Sequence, residues 1–203
     1  MRRHKGDASA EALSELHRSG IHPRESRTFQ DALANEYKDL ELMRHGNPAL
    51  AREIERVLEQ LQTHVPHNER LVPCHGAFRH KQLVGNDQYL TLLDWDGLIL
   101  ANPALDAASF LARLRRTPIT EPGKASKLEW LAEVFRREFR AREPEVALHE
   151  LALYEALVLT DLALRAFRRP QRQEHAIAHI YRLVAEAERP LIRQENSKES
   201  SRL

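Results

Sequence analysis

Apolar residues recur at helical spacing over most of the chain. Leu50, Ile54, Val57, Leu58 and Leu61 fall on one face of a predicted helix over about 48–64, and Gly46-Asn47-Pro48 breaks the chain just ahead of it. Phe29, Leu33, Tyr37 and Leu40 mark a helix over 28–45. Ala12, Leu13 and Leu16 mark a first helix that Ser9 caps and Gly20 ends. After Pro103 the pattern is helical again, over about 104–116, 124–141, 145–169 and 172–189.

Between these blocks the character changes. Leu71–Cys74 reads as a short strand. Gln82–Val84 and Tyr89–Leu93 are β-prone runs flanking Gly85-Asn86-Asp87-Gln88, which reads as a hairpin. The polar ends, 1–8 and 193–203, read as disordered. The expected fold is mostly α (α+β): one helical domain over 9–192 with a small central β-hairpin insert. A few strands inside a helical domain serve to hold a loop rigidly. The strand ends, 75–82 and 94–97, are therefore the site candidates.

Composition narrows the function classes. The chain has 203 residues, which favours one domain, and 42% apolar residues suffice for a core. Lys and Arg number 31 against 30 Asp and Glu, so a net charge of +1 leaves no electrostatic footprint for nucleic acid or membrane. The arginine clusters, such as Arg136, Arg137 and Arg140, are interleaved with acids and read as solvated helix faces. One cysteine, Cys74, excludes a disulfide framework. No apolar run is long enough to span a bilayer, and the basic N-terminal residues have no apolar stretch behind them. The expected compartment is the cytoplasm.

Asp94 and Asp96 stand two apart at the end of a predicted strand, where alternation would turn both carboxylates to one side. Such a pair suits Mg²⁺, which takes one or two carboxylates and keeps waters and phosphate oxygens. The competing reading is a solvated strand end before the turn at Gly97. His175 and His179 have a metal-ligand spacing, but Ala176 follows the first, so the H-E-x-x-H pattern is not met and a solvated face is expected. Asp161 interrupts an apolar run. It either pairs with Arg165 four residues on or joins Glu150 and Glu155 along a pocket for a cationic substrate.

The longer string is more specific. His75-Gly76-x-Phe78, then Gln82, then Asp94-Trp95-Asp96, then Asn102-Pro103-Ala104-x-Asp106 resembles the aminoglycoside phosphotransferase and choline kinase family, which has the protein-kinase-like fold. Ala12-Leu13-x-x-Leu16-His17-x-x-Gly20 is similar to the helix after that family's interlobe hinge. The resemblance covers nearly the whole chain but only the family's C-terminal lobe. It implies ATP and Mg²⁺ as cofactors. It implies that Asp94 binds metal and that Gln82 is the second metal and phosphate ligand, while Asp96 enters as a further carboxylate only through its spacing to Asp94. It also implies that His75 braces the loop and that Asp106 holds the loop backbone from the next helix.

Two departures stand against activity. Ala77 occupies the place of the family's catalytic aspartate, which orients the substrate hydroxyl and accepts its proton. Loss of a positioned base typically costs ~10²–10⁴ in rate. His80 lies three residues from the required place. Second, the closest pair of the seven glycines is nine residues apart, so the phosphate-cradling loop of an ATP-clamping N-terminal lobe is not found. The expected function is a degenerate, catalytically impaired kinase-like protein. The alternatives are a truncated or split small-molecule kinase and a non-catalytic helical interaction domain. Leu98-Ile99-Leu100, expected in a loop, would border the face of the absent lobe together with Ala12, Leu13 and Leu16. An exposed apolar patch there implies a homodimer or a partner chain.

Overall fold

The structure is a computed structural model that describes residues 5–66, 68–85, 90–120, 122–168 and 173–200. Its elements run α1 (Lys5–His17), β1 (Ser26–Arg27), α2 (Phe29–Gly46), α3 (Pro48–Gln62), β2 (Val72–Cys74), β3 (Leu83–Gly85), β4 (Leu90–Leu92), β5 (Ile99–Ala101), α4 (Ala104–Thr120), α5 (Ala125–Arg142), α6 (Leu148–Phe167) and α7 (Gln173–Ser200). The mostly helical fold with a small β insert is thus the one expected. Of the expected turn 85–88, Gly85 ends β3, and the other three residues lie outside the described residues. The chain divides into two compact units, Met1–Thr28 with Asn68–Leu151, and Phe29–His67 with Ala152–Leu203.

The first unit carries every strand. β5 lies between β1, parallel to it, and β2, antiparallel to it, with Arg27 opposite Ala101 and Cys74 opposite Ile99. β3 and β4 form a separate antiparallel hairpin with Leu83 opposite Leu92. α1 packs on α5, and α4 packs on α5. A column of aromatic rings fills the space between them. Phe78 stacks on Phe110 at 5.6 Å, Phe110 on Phe135 at 4.2 Å and Phe135 on Phe139 at 5.9 Å. Offset stacking of this kind adds to the burial of the rings.

Three differences from the sequence reading concern this unit. α1 begins at Lys5, a turn before Ser9. Gly6 seats against Val134 and Phe135 of α5, and Asp7 pairs with Arg142 at 2.6 Å, so tertiary contacts carry the helix past its expected cap. β1 and β5 are too short for a periodicity signal. Finally, Leu98–Leu100 is not an exposed loop. Ile99 is 5% exposed within β5, whose backbone pairs on both edges, and Leu13 and Leu16 are buried in the core. The expected apolar patch is therefore not formed by these residues. The large apolar side chains exposed in this unit instead include Val84, Leu90, Leu93 and Trp95, on and after the hairpin.

In the second unit α2 packs on α3, and α3 on α7. Asn47 caps α3 by accepting the Leu50 N–H at 3.1 Å, and Pro48 follows in the first turn, where its missing N–H costs nothing. The predicted face of α3, Leu50, Ile54, Val57, Leu58 and Leu61, is fully buried. Phe29 meets Tyr154 edge to face at 5.1 Å.

Candidate functional site

The site lies wholly in the first unit and is built from the loop after β2. Asn102 caps α4 through the Ala104 N–H at 2.9 Å, which sets Asp106 in the first turn of that helix. Asp106 then reaches back to the loop. Its Oδ2 accepts the His75 N–H at 2.6 Å and its Oδ1 accepts the Gly76 N–H at 2.9 Å. Two adjacent loop amides are thereby satisfied by one fully buried carboxylate, through charge-assisted bonds.

Gly76 makes the turn. Its φ is +78°, and a Cβ there would lie 2.1 Å from the Gly97 carbonyl oxygen. The His75 ring sits 5.6 Å from Trp95 and 5.9 Å from Phe78, and its Nε2 bonds the Leu93 carbonyl at 2.9 Å. That bond requires the Nε2–H tautomer. His75 and Asp106 thus connect the loop to the segment after β4 and to α4, respectively.

Ala77 follows, with only a methyl group as its side chain. Phe78 is buried at the head of the aromatic column. Arg79 leads into a 3₁₀ turn, His80–Gln82, and Gln82 is buried. The Gln82 amide is used at both ends. Its Oε1 accepts the Arg79 N–H at 2.9 Å, and its Nε2 donates to Asp94 Oδ2 at 2.6 Å. The Arg79 guanidinium donates to the same Asp94 oxygen at 2.9 Å. The Gln82 bond and then the Arg79 bond hold the Asp94 carboxyl below its ordinary pKa.

Asp94 and Asp96 are not strand neighbours, as their spacing suggested. β4 ends at Leu92. Asp94 has a left-handed φ of 71°, unique among the described non-glycine residues, and Asp96 lies in a 3₁₀ turn, Trp95–Gly97. A left-handed aspartate at a site is locally strained backbone held by its surroundings. As placed, these groups do not offer a hard divalent cation the oxygen shell it takes. The Gln82 oxygen is turned onto the loop backbone, and one Asp94 oxygen already has two donors.

Behind the loop is a buried polar group that sequence reasoning did not assemble. His17 Nε2 lies 3.6 Å from Asp106 Oδ2, and its Nδ1 lies 3.3 Å from Glu143 Oε1. Glu143 also accepts from Ser14 at 3.2 Å and from Arg70 at 2.6 Å. Burial alone would lower the His17 pKa, but Asp106 and Glu143 raise it. Burial alone would raise Glu143, but His17 and Arg70 hold it at about 2. Cys74 is adjacent; its Sγ–H contacts the Ala101 carbonyl at 3.4 Å, and burial raises its pKa and keeps it a thiol. The available signal was His17 itself, a polar residue one turn after Leu13 on an apolar helix face. Glu143 and Arg70 carry no local signal.

Asp161 pairs with Arg165 at 2.5 Å, as its spacing predicts, and Glu150 accepts the Ala147 N–H at 3.1 Å. The side chain of His175 lies outside the described residues.

A helical unit thus braces a His-Gly loop from the first turn of the following helix, beside a hairpin that leads to Asp94, and the solved structures it resembles have the kinase-like fold. A choline/ethanolamine kinase family protein from Mesorhizobium loti superposes with a TM-score of 0.63 at 16% identity, over 94% of this chain and 63% of that one. Choline kinase LicA from Streptococcus pneumoniae gives 0.61 at 16% identity, over 90% and 63%. A glucosamine kinase in complex with glucosamine, ADP and inorganic phosphate gives 0.58 at 16%, over 95% and 55%. The chain therefore spans less than two thirds of the length of these structures. No curated protein matches its sequence. The chain belongs to the phosphotransferase enzyme family, whose model matches residues 2–139. Among the described residues no helix is long and apolar enough to cross a membrane.

Proposed function

We propose that this chain is the helical, C-terminal-lobe part of a kinase-like small-molecule phosphotransferase that has lost the group activating the acceptor hydroxyl. The observation that carries the reading is Ala77, set in a loop whose other supports are all present. Asp106 holds the two preceding amides, and the following residue, Phe78, is buried in the core. In phosphoryl transfer of this class a carboxylate positions the nucleophile and takes its proton; catalysis is otherwise positioning and electrostatics. A methyl group does neither. What remains is a scaffold suited to binding rather than turnover, and the adenine nucleotides named for neighbouring structures make such a nucleotide the first ligand to try.

The test is a coupled phosphoryl-transfer assay of the chain with ATP, Mg²⁺ and a panel of amino-alcohols, amino-sugars and aminoglycosides. No turnover above background is expected from the wild type. A wild-type rate approaching ~1 s⁻¹, the low end for kinases, overturns the reading. Ala77→Asp separates the first alternative. A variant that gains transfer by about 10²-fold or more, the size of a positioned base, marks a kinase impaired at one residue. One that gains nothing even when the ATP-clamping lobe of a related kinase is supplied marks a binding scaffold with further losses.

A further inference from the structure

We infer that the Arg79 guanidinium is the resident cation of the Asp94 carboxylate, and that this pair, locked by Gln82, excludes a divalent metal from the loop. The inference rests on the reading that Asp94 stands at the family's metal-binding position.

Three contacts carry it. Arg79 Nη2 and Gln82 Nε2 both donate to Asp94 Oδ2, at 2.9 and 2.6 Å. Gln82 Oε1 accepts the backbone N–H of the same arginine at 2.9 Å. Arg79 thus acts twice, with its backbone setting the Gln82 amide and its side chain pairing with the aspartate.

The amide orientation follows from the partners. Turning it over would place Gln82 Oε1 against the Asp94 carboxylate and the NH₂ group against the Arg79 N–H, an acceptor facing an acceptor and a donor facing a donor. The buried glutamine therefore gives Asp94 a donor, and the one oxygen it has for a hard cation is committed elsewhere.

Charge points the same way. The monovalent guanidinium neutralises the single carboxylate. A divalent ion entering beside it would meet a like charge across a few ångströms and be repelled. The Arg79 and Asp94 side chains are 48% and 43% exposed. The pair is therefore reachable by an ion and can be removed without opening the core.

The experiment is a Mn²⁺ titration followed by the loss of the free-ion paramagnetic signal, on the full chain without nucleotide. Wild type is compared with Arg79→Ala, Arg79→Gln and Arg79→Ala/Asp94→Asn, each checked for native circular dichroism. Arg79→Ala and Arg79→Gln should each bind Mn²⁺ about tenfold more tightly than wild type, a change of about 1.4 kcal/mol, and the double variant should lose the gain. Equal binding by wild type and both single variants overturns the inference. So does a gain that survives loss of the Asp94 carboxylate. The readout is bound metal, which Ala77 does not influence, so the result is independent of whether transfer is gained by Ala77→Asp.

Discussion

His17 Nδ1 lies 3.3 Å from Glu143 Oε1 across 126 residues of chain, and the other nitrogen of the same ring faces Asp106. The pair joins α1 to the end of α5 directly behind the loop. Its two members have opposite pH signatures. Glu143 is held at about 2 against an ordinary value of 4.5, so its contribution is present above 4.5 and is lost as pH falls toward 2. His17 is raised above 6.5, so its contribution is fully present below 6.5 and is lost as pH rises through the higher, folded value. Stability from this group is therefore greatest between those limits. Glu143→Gln should cost about 3 kcal/mol, because it leaves His17 and Arg70 facing a neutral partner, and should flatten the acid limb. Urea melts of both proteins from below pH 4.5 to above pH 6.5 check this; parallel curves would remove the pair from the pH response.

The turn at Gly76 is the tightest point of the loop. Gly76→Ala would combine a positive φ of 78° with a Cβ 2.1 Å from the Gly97 carbonyl oxygen. Backbone strain of 1–3 kcal/mol and an overlap of similar size give an expected loss of about 3 kcal/mol or more. Chemical denaturation measures it, and a loss under about 1 kcal/mol would mean that the Gly97 carbonyl moves freely aside.

In the second unit Glu36 is buried, and its Oε2 has no hydrogen-bond partner. Burial first, then the Asp161 and Asp39 charges, raise its pKa to about 8, while Arg165 and Arg168 offset part of that. The folded state holds a proton here that the unfolded chain gives up near 4.5. Stability should therefore fall as pH rises from 4.5 through 8. Glu36→Gln carries no charge to expose and should melt higher than wild type above that range, by on the order of 2 kcal/mol, with little difference in acid. A variant that melts lower at alkaline pH would show that the carboxylate is ionised and paired.

The elements legible in the sequence are those with enough length for a period to show. α3 has five apolar residues at helical spacing and a break signal before it, and all five are buried as read. His75, Asp106 and Gln82 stand in a dense motif; the structure sets Asp106 on the loop backbone, Gln82 on the loop backbone and Asp94, and His75 on the Leu93 carbonyl. The two-residue β1 and three-residue β5 are shorter than any pattern, and they exist because each lends the other its hydrogen bonds. Leu98–Leu100 shows the consequence: three apolar residues in a row read as an exposed loop until a strand is known to lie on either side.

Residue identity alone determined the family string and the methyl group at Ala77, because which atoms a side chain carries is independent of where the chain folds. Tertiary structure decided the direction of every polar bond around them. Whether Gln82 presents its oxygen or its nitrogen to Asp94 depends on the N–H of Arg79, and whether Asp94 and Asp96 share a side depends on a left-handed φ rather than on strand alternation. Likewise His17, Asp106 and Glu143 are 89 and 37 residues apart in turn, and no spacing rule connects them. They meet because α1, α4 and α5 pack around one aromatic column, and burial then sets the polar groups at its end against one another.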